Sequence, residues 1–282
     1  MRWINYKLPP FWSKIKYWLG YSLFVLAITY GLSHTPSELW QIRSIWLLLA
    51  ALVVLTMFIL QGWQVMIFLK YHHVQSHWLY PALFTARKGV LNTVLPAKSG
   101  TLVLITMLTK KYQLKWYDFI IFMLVGSIAS LLVSLLGIVW LLFPLVYTLL
   151  LLLLILVMTY FSIRYRLFVY ASCFPLLLII AFGLYLSTIM AFFCLLRGLG
   201  FQLSFIDISY FAVVLNVLAQ FSFTPGNVGV REIVVGIMAP YVSLPISVGI
   251  IASAILYIVR LLVYSVILFW LEWLFKKSIV VK

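Results

Sequence analysis

The sequence predicts an all-α polytopic membrane protein: about six full transmembrane helices plus two re-entrant helical hairpins, arranged as an inverted repeat. Three observations carry this reading. Hydrophobic residues fill 66% of the 282 positions and charged residues only 9%, whereas soluble chains are about one-quarter charged. The apolar residues fall into separate runs close to the roughly 20 residues that a helix needs to cross a bilayer. Two further apolar stretches are each broken by the pattern Pro-x-x-x-Gly, at Pro96–Gly100 and Pro225–Gly229.

In chain order, residues 1–16 read as a basic, aromatic interfacial segment with Arg2, Lys7, Lys14 and Lys16. No small-residue cleavage site follows, so no signal peptide is expected. The first repeat covers residues 17–143: span 1 over 17–33, span 2 over 44–69, a hairpin over 79–110 and span 3 over 118–143. Gly126, Ser127, Ser130, Ser134 and Gly137 suit span 3 to close helix packing. The second repeat covers residues 144–273: span 4 over 145–163, span 5 over 167–196, a hairpin over 208–240 and span 6 over 244–273. Span 4 is nearly pure leucine and is expected to face lipid, and Pro175 is expected to kink span 5. Residues 274–282 form a basic cytoplasmic tail.

The formal net charge of +15 would suggest nucleic acid in a soluble protein. Here Lys and Arg sit mostly in short loops, as the positive-inside rule requires, so no nucleic-acid partner is expected. With hairpins returning to their own side, the N-terminus, Lys70–Trp78, Lys110–Lys115, Arg164–Arg166 and the C-terminus share one side. Arg43 and Arg197 occupy the other. Both termini are therefore predicted to be cytoplasmic, in a multi-pass protein of the cytoplasmic (inner) membrane. Three full spans separate the hairpins, so they enter from opposite faces.

Broken backbone inside a bilayer must be buried in protein, because unpaired N–H and C=O groups cost several kcal/mol each there. Paired interruptions of this kind point to a transporter's binding site. Pro96, Gly100, Pro225, Gly226 and Gly229 are read as the hairpin breaks. Half-helices starting after the glycines would turn their positive N-terminal ends to the midplane. Lys98, Arg231 and Arg260 would join them to bind an anionic lipid headgroup, and Asn227 at the break would either help bind it or satisfy exposed backbone. Glu232 is the one acid predicted deep in the membrane. It would neutralise Arg231 or Arg260, pin two helices as a buried pair with Arg260, or titrate and couple transport to protons.

Asn216 and Gln220, four apart, would share a helix face and bond across helices. His73 and His77 have the spacing to put two imidazoles on one helix face, but no Cys or carboxylate completes a metal site. No metal or cofactor is expected. Cys173 and Cys194 would lie about 30 Å apart on one helix, too far for a disulfide. There is no Walker loop, no His-Glu-x-x-His and no Gly-x-Ser-x-Gly. A transporter is the leading reading. The alternatives are a membrane-embedded transferase using a loop acid such as Glu38, an accessory partner of envelope-biosynthesis enzymes, or a scaffold.

Phe223-Thr-Pro-Gly-Asn-Val-Gly-Val-Arg-Glu232, together with Leu95-Pro-Ala-Lys-Ser-Gly100 and the late Arg260, resembles the lysylphosphatidylglycerol synthase/flippase transmembrane-domain family. The resemblance covers nearly the whole chain, and Pro-Gly-x-x-Gly-x-x-Glu is its more specific element. It implies a stand-alone flippase-like domain without the soluble aminoacyl-transfer domain of the namesake proteins, handling modified or lipid-linked anionic lipids. Pro225, Gly226, Gly229, Glu232 and Arg260 carry the site expectation. One departure stands out: the family usually has an acid after the first motif's glycine, and this chain has Thr101 there.

Overall fold

The computed structural model describes residues 12–34, 43–94, 99–143, 145–164, 170–221, 224 and 227–280. Pro96, Lys98, Pro144, Pro225 and Gly226, and most of the residue 1–16 segment, lie outside them. The described residues form α-helices without a strand: α1 (Trp12–His34), α2 (Ser44–Tyr71), α3 (Leu79–Val94), α4 (Ser99–Tyr112), α5 (Trp116–Leu142), α6 (Leu145–Arg164), α7 (Phe174–Gly198), α8 (Phe205–Leu218), α9 (Val230–Met238) and α10 (Ile246–Val280). Short 3-10 turns at Ala171–Cys173 and Ala239–Val242 precede α7 and follow α9.

Against the expected six full spans, four stretches among the described residues are long and apolar enough to cross a membrane: α2, α5, Ala171–Gly198 and Ile246–Lys276. Shorter apolar stretches are Ser22–His34 in α1, Leu145–Tyr160 in α6, and α8. At 1.5 Å per residue the α6 stretch is about 24 Å long, short of a roughly 30 Å hydrocarbon core. Most of its leucines, among them Leu150, Leu153 and Leu154, are exposed, as a lipid-facing run should be.

Local chemistry explains several helix boundaries. Pro175 does not kink α7 but sits in its first turn, where its missing N–H costs no hydrogen bond. Ser204 and Asp207 form a reciprocal capping box at the start of α8, satisfying two orphan backbone donors. α2 ends at Tyr71, and His73 turns into left-handed backbone at φ 56°. The His73–His77 pair therefore lies on a turn and does not share a helix face. Cys173 precedes α7, and both cysteines are buried free thiols.

Loop contacts sort the chain into two ends. At one, His72 lies 3.1 Å from the Tyr170 hydroxyl, which donates to the Asp118 carbonyl at 2.9 Å. Ser76 meets Tyr112 at 2.6 Å, and the Tyr80 and Phe275 rings stack. Lys70, Lys110, Lys111, Lys115 and Lys276 belong to these segments. At the other end the Arg43 amide donates to the Gly198 carbonyl and Ser247 to the His34 carbonyl. The basic loops thus cluster at one end of the bundle, as the charge pattern requires.

Between the ends α2 and α5 both pack on α7, and α10 contacts α1, α2, α3, α7 and α9. Gly137 lets α5 approach closely: a Cβ there would meet the Tyr185 hydroxyl at 2.7 Å and Val213 at 2.8 Å. α3 and α4 fold back on each other, since Lys111 near the end of α4 sits over the Tyr80 ring at the start of α3. The buried Tyr170 closes an aromatic cluster with Phe68 and Phe122, both fully buried. Tyr170→Phe should lose about 1–2 kcal/mol, because His72 and the Asp118 carbonyl both lose their partner. Thermal unfolding in detergent reads the loss, and an unchanged midpoint would mean the hydroxyl contributes nothing.

Candidate functional site

The second interrupted unit is built around a buried carboxylate. Gly229 stands at φ 81° and ψ −53° just before α9, a conformation that side chains other than glycine's rarely allow. The turn places its N–H 2.7 Å from Glu232 Oε2, so the carboxylate caps the helix it belongs to. Glu232 Oε1 accepts from Arg231 Nη2 at 2.6 Å and Nε at 3.1 Å. Arg231 also donates to the Ser253 hydroxyl at 3.0 Å and the Ser253 carbonyl at 2.9 Å. Glu232 is fully buried and Arg231 nearly so. The pair closes a network that fastens α9 to α10.

Of the two partners the sequence offers Glu232, the structure selects Arg231. Arg260 lies two turns beyond Ser253 on α10, about 10 Å along the axis, and its guanidinium sits over the Tyr264 ring at 5.9 Å. No carboxylate pairs with Arg260 among the described residues.

Asn227, in left-handed backbone at φ 56°, donates its amide to the Leu218 carbonyl at 2.9 Å and the Phe221 carbonyl at 2.8 Å. It thereby satisfies acceptors at the end of α8 that the broken helix leaves open. Further back, Asn216 donates to the Ser134 hydroxyl at 2.8 Å and the Ser130 carbonyl at 3.3 Å. Gln220 donates to the Ser130 hydroxyl at 3.0 Å. The two amides share a face, and both bond across to α5.

The first unit uses a neutral version of the same device. Gly100 admits close packing: a Cβ there would meet the Lys88 carbonyl at 2.2 Å and the Asn92 amide N at 2.8 Å. At the position after this glycine, Thr101 N–H donates to Asn92 Oδ1 at 3.2 Å. Asn92 on α3 therefore supplies the acceptor for the first turn of α4. Arg87, one turn earlier, pairs with Glu272 of α10 at 3.0 Å. This half-exposed pair was not legible in the sequence, where Glu272 sits in an ordinary interfacial context near the chain's end.

These elements enclose a cavity of about 350 Å³. Its walls come from α2, α3, α5, α7, α8 and α10, and the first turns of α4 and α9 reach it through Thr101 and Arg231. Lys88, Arg231 and Arg260 line it, and no carboxylate among the described residues does. Of the expected binding residues, Arg231, Arg260 and Asn227 thus meet at one cavity, while Glu232 lies behind Arg231. Lys98 lies outside the described residues. The sequence reading missed Lys88, Gln61 and Gln64 as lining residues. Gln61 and Gln64 are three apart on α2, and their signal was a pair of amides inside an otherwise apolar span.

A second cavity of about 420 Å³ adjoins the first and shares Leu218 and Phe221 with it. Its lining is wholly apolar apart from the Tyr210 hydroxyl, with Ile138, Leu141, Val213 and Val217 among its residues. From Tyr210 to Leu218 it follows α8 for about 12 Å. α8 thus carries amides to one cavity and hydrocarbon to the other.

The family described as Lysylphosphatidylglycerol synthase TM region matches residues 17–268. No curated protein and no solved structure matches the chain.

Breaking a buried pair strands the surviving charge, at a typical cost of about 3–5 kcal/mol, whereas removing both charges costs far less. Glu232→Gln should therefore lower folded yield and the unfolding midpoint more than the double variant Arg231→Met/Glu232→Gln. Equal stability of the two variants would show that the carboxylate is not the fastening element.

Proposed function

The chain belongs to the Lysylphosphatidylglycerol synthase TM region family, and from that premise we propose a flippase-like role. It moves an anionic lipid or lipid-linked precursor between the leaflets of the cytoplasmic membrane. The observation that carries this reading is the pairing of two adjoining cavities. One is lined by Lys88, Arg231 and Arg260 with no carboxylate among the described residues, the other almost wholly by hydrocarbon, and Leu218 and Phe221 belong to both. A phosphate-bearing headgroup fits the first and its hydrocarbon chain the second. A soluble anion would use only the first.

In this reading α3–α4 and α8–α9 are re-entrant hairpins that enter from opposite faces and meet at the cavity. The clustered basic loops face the cytoplasm. Arg260 is the principal headgroup contact. Arg231 is already engaged by Glu232 and Ser253, so it contributes a wall and a partly cancelled charge. Guanidinium suits phosphate because its planar donors bond two oxygens at once. Glu232 serves here as a fixed structural acceptor, held by the Gly229 amide, Arg231 and Ser253.

Two variants test this in proteoliposomes carrying fluorescent phosphatidylglycerol, with quenching of the outer leaflet as readout. Arg260→Ala should slow translocation at least tenfold. Val217→Trp, which fills the apolar cavity without touching a charge, should slow it as well. Wild-type rates in both variants, from folded protein, would sink the two-cavity reading. Absence of movement in the wild type would turn attention to a transferase or accessory role.

A further inference from the structure

Resting on that reading, we propose that the seam between α3 and α10 is the portal through which a headgroup reaches the polar cavity from the basic-loop end, and that the Arg87–Glu272 pair is its latch. A lipid that changes leaflets needs the cavity to open toward each in turn. Toward the basic loops the cavity is closed on two sides, by contacts of opposite kind. On one side Gln64, Met123 and Leu177 line it, and Phe68, Phe119 and Tyr170 lie beyond them on the same segments, nearer the basic end. Phe68, Phe119, Phe122 and Tyr170 are buried. Their ring centroids lie 5.0 Å apart for Phe68 and Phe119 and 5.3 Å apart for Phe122 and Tyr170. The Tyr170 hydroxyl adds its contacts to His72 and the Asp118 carbonyl. Parting α2, α5 and α7 here would give up close ring packing and those bonds together. This side is the fixed block.

The other side is the seam. Gly89 and Thr93 of α3 and Tyr257 and Tyr264 of α10 all border the cavity, so parting the two helices opens it. At the deep end the Tyr257 hydroxyl donates to the Thr93 carbonyl at 3.1 Å. Next, the buried Tyr264 ring rests on the bare backbone of Gly89, where any Cβ would collide with it. At the rim, about 22 Å beyond Tyr257 along α10, Arg87 pairs with Glu272 at 3.0 Å. The two side chains of that pair are 35% and 42% exposed. Such pairs contribute little net stability, because the surroundings compete for both charges. A ring resting on a glycine interlocks with no side chain there, so the helices can part at that point without a change of rotamer. α3 also carries its own partner with it: Asn92 accepts the Thr101 N–H at 3.2 Å, and Lys111 sits over the Tyr80 ring. A light latch and a smooth contact thus join the α3–α4 unit to α10, opposite the fixed block.

The test uses the full chain with Cys173→Ala and Cys194→Ala, in proteoliposomes carrying fluorescent phosphatidylglycerol. Arg87→Cys/Glu272→Cys, joined by a short reducible bis-methanethiosulfonate, should translocate at least tenfold more slowly than before cross-linking, and reductant should restore the rate. A second readout does not depend on transport. Thr93→Cys puts a thiol in the cavity wall, and a charged methanethiosulfonate is added from the side of the basic loops. Adding Glu272→Gln or Arg87→Gln should raise its labelling rate at least fivefold, and the exchange Arg87→Glu/Glu272→Arg should bring the rate back toward that of the intact pair. Full translocation by the cross-linked protein, or labelling that loss of the pair does not change, overturns the portal and leaves the flippase reading standing. A wild-type protein that moves no lipid overturns the flippase reading, and the portal falls with it.

Discussion

Interrupted backbone inside an apolar bundle has to be satisfied by protein, and this constraint decides what most of the polar residues here do. Each unsatisfied amide or carbonyl away from water costs several kcal/mol. Glu232 answers it for the start of α9 by accepting the Gly229 amide. Asn227 answers it for the end of α8 by donating to two carbonyls, and Asn92 for the start of α4. Residues that look like binding groups in the sequence are thus first of all backbone partners. Arg260, which performs no such service, is left as the cation most available to a ligand.

The two units solve the same problem with different charge. α9 is capped by a carboxylate, and its burial would be costly alone, so Arg231 comes with it and Ser253 completes the geometry. α4 is capped by a neutral amide from the neighbouring helix, which needs no counter-ion. Asn92 accepts the backbone N–H of Thr101, which closes this turn whatever side chain stands there. The first unit brings Lys88 to the cavity wall.

The helices and the breaks were legible because both are written in local composition. Long apolar runs, Pro-x-x-x-Gly and the segregation of Lys and Arg each act over a few residues or through a simple solvent rule. The α5–α8 bonding of Asn216 and Gln220 was readable too, since amides four apart in an apolar helix have few other uses. Pairing between distant residues was not. Which arginine meets Glu232 depends on the rotation of α9 against α10 at Ser253. The Arg87–Glu272 pair depends on α3 lying beside α10. Lys88, Gln61 and Gln64 enter the cavity because three helices turn those faces inward, and rotation about a helix axis leaves little trace when nearly every side of the helix is apolar. Pro175 was misjudged for a related reason. A proline in a long apolar run looks like a kink until the 3-10 turn before it fixes the helix start one residue upstream.

α8 shows how two adjoining cavities of different chemistry arise from these constraints. Its polar face is held by Ser130 and Ser134 of α5, which fixes the helix rotation. With rotation fixed, Tyr210, Val213 and Val217 are directed to the other side, along Ile138 and Leu141. The boundary between polar and apolar space then falls at Leu218 and Phe221, where α8 ends and Asn227 folds back to cap it. The same break that needs Asn227 to satisfy its carbonyls therefore sets the point where polar lining gives way to apolar lining. A substitution that rotates α8, such as loss of Asn216, would misalign both cavities at once, because one set of interhelical hydrogen bonds positions them both.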